Sequence, residues 1–124
     1  MPSRAIIAGE LAEIFETLAH PDRIRLIEEL RAGERDVNTM AERLDLPGPR
    51  VSQHLANLRL HHMVAERREG RRHLYSLVRP DLADWIIDGL DFLEVRSSGP
   101  SKSNINSARR KWSRSDHQSK QDRA

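Results

Sequence analysis

The sequence predicts a mostly α-helical domain that carries one small β-hairpin. Apolar residues recur with a helical period in four segments before residue 61 and in one segment after residue 80. Between these segments the pattern changes to two short runs typical of strands, which flank Gly70. The chain has 124 residues, of which 37% are hydrophobic, so we expect a single compact domain.

The first two predicted helices are separated by a proline. Pro21 disfavours helix at the residue before it and suits the first turn of a new helix, and Gly33 is a natural end for that helix. The first helix presents one apolar face, made by Leu11, Ile14, Phe15 and Leu18.

A third and a fourth helix follow at the spacing of a helix-turn-helix. The third covers Val37–Leu44 and is capped by Asp36 or Asn38. Asp45 lies in the turn, where a left-handed conformation is tolerated. The fourth helix covers Pro49–His61, and its outer side is polar and basic, with Arg50, Ser52, Gln53, His54, Asn57 and Arg59.

The hairpin and a last helix complete the order α-α-α-α-β-β-α. Gly70 supplies the positive φ that a tight turn between two strands needs. Four arginines cluster at the tip of this hairpin: Arg67, Arg68, Arg71 and Arg72. The last helix begins at Pro80 and carries an apolar stripe of Leu82, Trp85, Ile86, Leu90 and Leu93.

Charge is segregated along the chain although the net charge is only +2. Residues 47–79 carry seven arginines and two acids, whereas residues 80–95 carry five acids and no base. Residues 96–124 carry eight bases and few apolar side chains, which predicts a domain over residues 1–95 and a disordered basic tail over 96–124. The basic block indicates a surface for a polyanion, and the alternative is a chance arrangement of solvated charges.

Several functional classes are disfavoured by what the chain does not contain. It has no cysteine, which excludes disulfides, thiolate metal sites and thiol nucleophiles in this chain. It has no phosphate-binding glycine loop, zinc-protease motif or arranged catalytic triad, so we expect no enzyme. No apolar run suits a membrane span or a secretory signal, so we expect a cytoplasmic protein associated with the bacterial nucleoid.

In this order, the helices and basic hairpin form a winged helix-turn-helix, and the sequence resembles the ArsR family (ArsR/SmtB type) of bacterial repressors. The resemblance covers roughly residues 10–94 and is carried by LAHPDRIRLIEEL, VSQHLANLR and VAERREGRRHLYSL. It implies a homodimer joined through the first and last helices. The candidate interface residues are Leu11, Ile14, Phe15, Trp85, Ile86 and Leu93. The alternative is that both helices pack only within one subunit.

The resemblance fails at the family's metal sites. A Cys-x-Cys pair of metal-sensing relatives aligns with Asp36 and Asn38. A second set of ligands, near the start and end of the last helix, aligns with Arg79, Asp81, Phe92 and Val95. The resemblance therefore implies neither metal site, and we expect no cofactor.

Two other clusters, one of histidines and one of aspartates, could bind a metal, but each also has a simpler interpretation. His61 and His62, with His73 as a third ligand, suit zinc, but such a pair is more often an exposed helix end. The last helix places four aspartates on one face: Asp81, Asp84, Asp88 and Asp91. A hard cation would suit them, but a solvated acidic face is the simpler interpretation.

Double-stranded DNA is the expected partner. Gln53 is the best candidate to read a base, since an amide binds adenine bidentately, and Arg50 suits guanine or a phosphate. Ser52 and Asn57 suit phosphates, whereas His54 suits either a phosphate or a hydrogen bond within the motif. The hairpin over residues 64–77 is the wing of this arrangement. The wing residues expected along or in the minor groove are Arg67, Arg68, Arg71, Arg72 and His73.

The leading hypothesis is a homodimeric repressor on a pseudo-palindromic operator, with or without an inducer. In a second hypothesis the regulator senses nothing and is controlled by a protein partner. In a third, a winged-helix module binds proteins and not DNA. The tail is expected to add nonspecific DNA attraction through Arg109, Arg110 and Lys111, while Trp112 is interpreted as a lone exposed aromatic.

Overall fold

The computed structural model describes residues 3–95 and 99–122, with side chains within 3–94 and 99–112. In chain order its elements are α1 (Arg4–Leu18), α2 (Pro21–Leu30), β1 (Arg35–Asp36), α3 (Val37–Leu44), α4 (Gly48–Leu60), β2 (Val64–Glu69), β3 (Arg72–Leu77), α5 (Asp81–Asp88), a 3₁₀ helix (Gly89–Val95) and α6 (Lys102–Asp122). The predicted class, mostly α-helical with a small antiparallel sheet, is confirmed. None of the helices in the described ranges has the length and apolarity that a membrane span requires.

The core lies where α2, α3 and α4 pack against the sheet. Leu26, Ile27, Met40 and Leu55 are fully buried there. Burying each such side chain stabilises the fold by about 1.5–3 kcal/mol. This packing fixes α4 to the body and leaves the opposite side of α4 exposed to solvent.

Local chemistry defines the turn between α3 and α4. The Asp36 carboxylate accepts a hydrogen bond of 2.9 Å from the Thr39 N–H, so Asp36 and not Asn38 is the cap of α3. Asp45 ends α3 with a φ of 54°, in the predicted left-handed conformation. The helix-turn-helix predicted from the sequence is therefore present, with α4 beginning at Gly48, one residue before the predicted start.

The hairpin forms with the predicted turn and gains a third strand. β2 and β3 pair antiparallel and are closed by Gly70 with a φ of 62°. The two residues of β1 pair with β3, opposite Tyr75 and Leu74. This strand was not predicted, because two residues are too few to show a period.

The last predicted helix is shorter than its apolar stripe indicated. α5 ends at Asp88, and the chain continues as a 3₁₀ helix from Gly89. Glycine is a poor helix former, which is consistent with the tighter geometry starting there. Leu90 and Leu93 therefore belong to the 3₁₀ segment and not to α5.

Within the segment 96–124, for which the sequence predicts a disordered tail, the structure has the helix α6 over Lys102–Asp122. Ile105 is only 2% exposed, and the Arg109 guanidinium donates to the Asp91 carboxylate over 2.5 Å. Arg31 also donates to the Trp112 carbonyl over 3.4 Å. The few apolar side chains of this segment do not show that its bases pair with the acidic block before it, as Arg109 does with Asp91. The predicted domain boundary falls at residues 95 and 96, of which residue 96 lies outside the described residues.

Candidate nucleic-acid interface

The exposed side of α4 carries side chains suited to reading DNA. Val51, Leu55 and Leu58 of α4 are buried. The helical period therefore turns Arg50, Ser52 and Gln53 to solvent, and all three are exposed. Within the part of the chain that the structure describes, these three side chains make no hydrogen bond or ion pair, so they are available to a ligand.

His54 points into the protein and not outwards. Its Nδ1 accepts a hydrogen bond of 3.1 Å from Arg23 Nε, and its Nε2 lies 3.6 Å from an Asp22 carboxylate oxygen. Desolvation, followed by the Arg23 charge, lowers the pKa of His54 below its ordinary value. Arg23 also donates to the Thr17 carbonyl over 2.9 Å. The internal interpretation of His54 is favoured, since the ring ties α4 to Arg23 of α2, and Arg23 in turn bonds to the end of α1.

Asn57 is also directed towards the body. It is half-buried, and its Oδ1 is buried without a hydrogen-bond partner among the described residues. Its backbone carbonyl lies 2.9 Å from His61 Nδ1 at the end of α4. A phosphate contact by Asn57 stays a prediction. Because Asn57 is half-buried and Arg50 is exposed, a phosphate contact has more support at Arg50 than at Asn57.

Two wing arginines are already held by carboxylates. Arg67 forms a bidentate pair with Glu34, over 2.8 and 2.7 Å, and a further ion pair with Glu69 over 3.1 Å. These hydrogen bonds, with that to Glu34 as the largest cause, raise the pKa of Arg67. Arg72 makes a longer contact of 3.4 Å with Asp36. The predicted cationic cluster is therefore partly neutralised within the subunit.

A hydrogen-bonded group joins α4 to the wing around Glu66. The Glu66 carboxylate lies 2.7 Å from His73 Nδ1, and it accepts from Tyr75 over 3.2 Å and from Arg59 over 2.8 Å. The hydrogen bond from His73 is the largest cause that holds the pKa of Glu66 below its ordinary value. Burial is the largest cause that raises the pKa of Tyr75. Arg59 and Glu66 were not among the predicted site residues, because they meet only after α4 and β2 fold together.

A groove of about 710 Å³ runs between α3, α4 and the wing. Its lining residues are Asp36, Val37, Asn38, Ser52, Arg59, Glu66, Arg68, Arg71, Arg72, His73 and Tyr75. Arg68 and Arg71 are exposed, and neither makes a hydrogen bond or ion pair within the described ranges. The structure thus brings Ser52 and four of the five predicted wing residues to one groove, while Arg50 and Gln53 lie outside its lining.

A second exposed surface is apolar and lies on α1 and α5. Leu11, Ile14, Phe15 and Trp85 are 39–50% exposed, and the Phe15 and Trp85 rings are 5.4 Å apart. We call these four residues the apolar face. A cavity of about 440 Å³ opens beside it, lined in part by Leu11, Ile14, Leu82 and Trp85. Ile86 and Leu93, the other predicted interface residues, are half-buried.

The acidic side of α5 and the 3₁₀ helix is paired with arginines. Asp81 contacts Arg79 over 2.6 Å, and Asp84 contacts Arg31 over 2.9 Å. Asp91 contacts Arg109 of α6. Across residues 3–95 and 99–122, no three His, Asp or Glu side chains are grouped as a metal would require. His61 and His62 are exposed at the end of α4.

Comparison with known protein families identifies the helix-turn-helix region. Residues 20–64 match the family model for bacterial regulatory proteins of the arsR family. The transcriptional regulator KmtR of Mycobacterium tuberculosis is 36% identical over 90 residues, which cover 73% of this chain and 68% of that protein. The chain spans about two thirds of the length of the curated relatives that it matches first.

Solved structures show the same architecture. The crystal structure of M. tuberculosis Rv0081 superposes with a TM-score of 0.62 at 34% identity, covering 74% of this chain and 91% of that one. The homodimeric winged helix-turn-helix DNA-binding domain Mb0332 of Mycobacterium bovis superposes with a TM-score of 0.64 at 25% identity, covering 80% and 97%. Helix α4 and the hairpin thus lie in a fold that a solved DNA-binding domain shares.

Proposed function

Because the chain belongs to the ArsR family of bacterial regulatory proteins, we propose that it is a homodimeric transcriptional repressor of a pseudo-palindromic operator. The observation that carries this proposal is the face shared by α4 and the wing. There, exposed polar and cationic side chains of α4, which make no hydrogen bond or ion pair with any described residue, lie beside a groove lined by basic side chains. Such a surface suits a DNA duplex, which offers phosphates at a regular spacing and base edges between them.

In this proposal α4 enters the major groove and the wing follows the backbone. Gln53 reads a base, Arg50 reads guanine or binds a phosphate, and Ser52 binds a phosphate. Arg68 and Arg71 bind phosphates beside the minor groove. The framework is held by His54, Arg67, Arg72 and His73, whose side chains bond to other residues of the same subunit. Asn57 is a further candidate for a phosphate contact.

The apolar face supports a two-fold dimer. Leu11, Ile14, Phe15 and Trp85 form a contiguous exposed apolar surface on α1 and α5, which a second copy would cover. The relative Mb0332 is homodimeric. A two-fold dimer presents two copies of α4, and these suit half-sites about one helical turn, or 34 Å, apart. The proposal requires no cofactor and no catalysis, and it places the protein in the bacterial cytoplasm with the nucleoid.

Salt dependence follows from the number of phosphate contacts. If Arg50, Arg68 and Arg71 each neutralise one phosphate, a dimer neutralises about six, and log K should fall with log salt at a slope of roughly −5. Arg67 and Arg72 are excluded from this number because carboxylates of the same subunit hold them.

The test is selection of duplexes from a random-sequence library by the purified full chain. The proposal predicts enrichment of one inverted repeat, and a mobility shift of that duplex at concentrations far below those that shift a scrambled duplex. Specific affinity should exceed nonspecific affinity by about 10³-fold or more. A library that stays unenriched, with equal shifts for all duplexes, would refute the proposal and favour a protein-binding module.

A further inference from the structure

Glu66 is an acid at a position where a DNA-binding surface should avoid one. Only two acids, Glu66 and Glu69, occur between residues 47 and 79, where seven arginines occur. Glu66 lines the groove between α4 and the wing, and its side chain is only 14% exposed. A carboxylate there repels phosphates, so by charge alone it weakens binding to any duplex.

The contacts of Glu66 fall into two groups. His73 and Tyr75, both on β3, fix the carboxylate from the wing side, over 2.7 and 3.2 Å. Arg59, near the end of α4, donates to the same carboxylate over 2.8 Å from one of its five N–H groups. The Arg59 side chain is otherwise 59% exposed and lies in the lining of the groove.

We propose that Glu66 is a positioning residue that aims the Arg59 guanidinium at the operator, with His73 and Tyr75 holding the carboxylate still. This rests on the proposed function and adds Arg59 to the residues that read DNA. An unheld arginine populates many rotamers, whereas a charge-assisted hydrogen bond selects a narrow set before DNA arrives. On a duplex whose groups match the ordered Arg59 guanidinium, this gain offsets the repulsion of phosphates by Glu66. On any other duplex the repulsion is not offset.

The alternative role for Glu66 is purely electrostatic. In this role its negative charge only relieves the repulsion among the arginine side chains of the wing. In that case only the negative charge of Glu66 affects DNA binding, and its hydrogen bond to Arg59 has no effect. Any other carboxylate on the wing would then have the same influence. Glu69 provides the matched control, because it lies three residues further along the same strand and pairs with Arg67 over 3.1 Å.

The experiment compares Glu66→Gln with Glu69→Gln in the purified chain of 124 residues. Each change removes one negative charge from the wing. Affinity is measured by fluorescence anisotropy for the duplex enriched by selection and for a scrambled duplex of equal length. Both variants should bind the scrambled duplex somewhat more tightly. Glu66→Gln should lower the ratio of specific to nonspecific affinity about tenfold, which corresponds to the loss of one charged hydrogen bond. Glu69→Gln should leave that ratio unchanged.

A double-mutant cycle with Arg59→Met shows whether Glu66 acts through Arg59. Arg59 is exposed, so its removal should leave the fold intact. The proposal predicts that Arg59→Met lowers the ratio as Glu66→Gln does, and that the double variant loses no more than either single variant. A purely structural role would lower the melting temperature and leave the ratio unaffected.

Two results would overturn the inference and leave the proposed function standing. One is an equal affinity ratio for Glu66→Gln and Glu69→Gln, with the wild-type protein still selecting an operator. The other is additive loss in the double variant. A wild-type protein without sequence preference would instead remove both the proposed function and the inference.

Discussion

The apolar face on α1 and α5 is exposed because it lacks an apolar partner, whereas a second exposed surface on α4 and the wing suits a polyanion. We call this second surface the cationic face, and its exposed polar and basic side chains are Arg50, Ser52, Gln53, Arg59, Arg67, Arg68, Arg71 and Arg72. Leu11, Ile14, Phe15 and Trp85 remain open because no element of the same subunit covers them among the described residues. On the cationic face, by contrast, carboxylates of the same subunit form ion pairs with Arg59, Arg67 and Arg72. Exposure alone thus identifies an apolar binding face. A cationic binding face is identified only when the ion pairs within the subunit are also known, because they reduce the charge available to DNA.

The largest effect should come from placing a charge in the apolar face. Ile14→Glu puts a carboxylate where we propose that two subunits meet, so the dimer should dissociate and operator affinity should fall by at least about 100-fold. Analytical ultracentrifugation and mobility shifts measure the two effects. Ile14→Met keeps the face apolar and should remain dimeric. If the Ile14→Glu variant remained dimeric and bound DNA normally, the face would have another role.

On the cationic face, the largest single effect should come from the side chain proposed to read a base. Gln53→Ala should weaken binding to the selected duplex about tenfold, because a bidentate amide–base contact contributes about 1–3 kcal/mol. Binding to scrambled DNA should not change. Repeating the selection with the variant shows which base pair loses its preference. A uniform loss on all duplexes would instead make Gln53 a backbone contact.

A comparison of Arg71 with Arg67 tests whether an ion pair within the subunit prevents an arginine from binding a DNA phosphate. Arg71 makes no hydrogen bond or ion pair within the described ranges, whereas Arg67 is held by Glu34 and Glu69. Arg71→Gln should weaken binding to every duplex by a few fold and make the salt slope shallower by about 2 units for a dimer. Arg67→Gln should leave the slope unchanged. Equal changes in slope would show that DNA displaces the carboxylates from Arg67.

The smallest effect concerns stability, and it arises where α4 meets the body. The pKa of His54 is lowered in the folded protein by desolvation and by Arg23, while the unfolded value is about 6.5. The unfolded chain therefore binds the proton more readily. The contribution to stability is complete above pH 6.5 and is lost as the pH falls through the folded pKa. Urea unfolding between pH 7.5 and 5 should show this loss, and a steady difference between wild type and His54→Gln at all pH values would contradict it.

The elements that the sequence predicted well are those with a clear period or a specific turn residue. The helix-turn-helix followed from the apolar spacing on α3 and α4, and Asp45 and Gly70 adopt the conformations expected of them. β1 was missed because its two residues become a strand only through pairing with β3. α6 was missed because Ile105 alone gives no apolar stripe, and its pairing with the 3₁₀ helix is electrostatic in part.

The sequence predicts the candidate site from residue types, and the structure adds the hydrogen-bond partners of those residues. Arg50, Ser52, Gln53, Arg68 and Arg71 are exposed, as the sequence predicted, but no local pattern shows that Glu34 faces Arg67. The two are 33 residues apart in the chain. His54 likewise has the right type and position for a phosphate contact, yet Arg23 of another helix holds it inside. Long-range pairs of this kind decide which charges remain for DNA, and only the folded chain shows them.

We propose that two copies of the cationic face, one from each subunit, bind one duplex. Hydroxyl-radical footprinting of the wild-type dimer on its selected duplex tests this most directly. The predicted result is two protected patches related by a two-fold axis, with half-site centres about 10 base pairs or a multiple of that apart. Gln53→Ala should weaken both patches equally. A single protected patch, or protection that moves freely along the duplex, would contradict the claim.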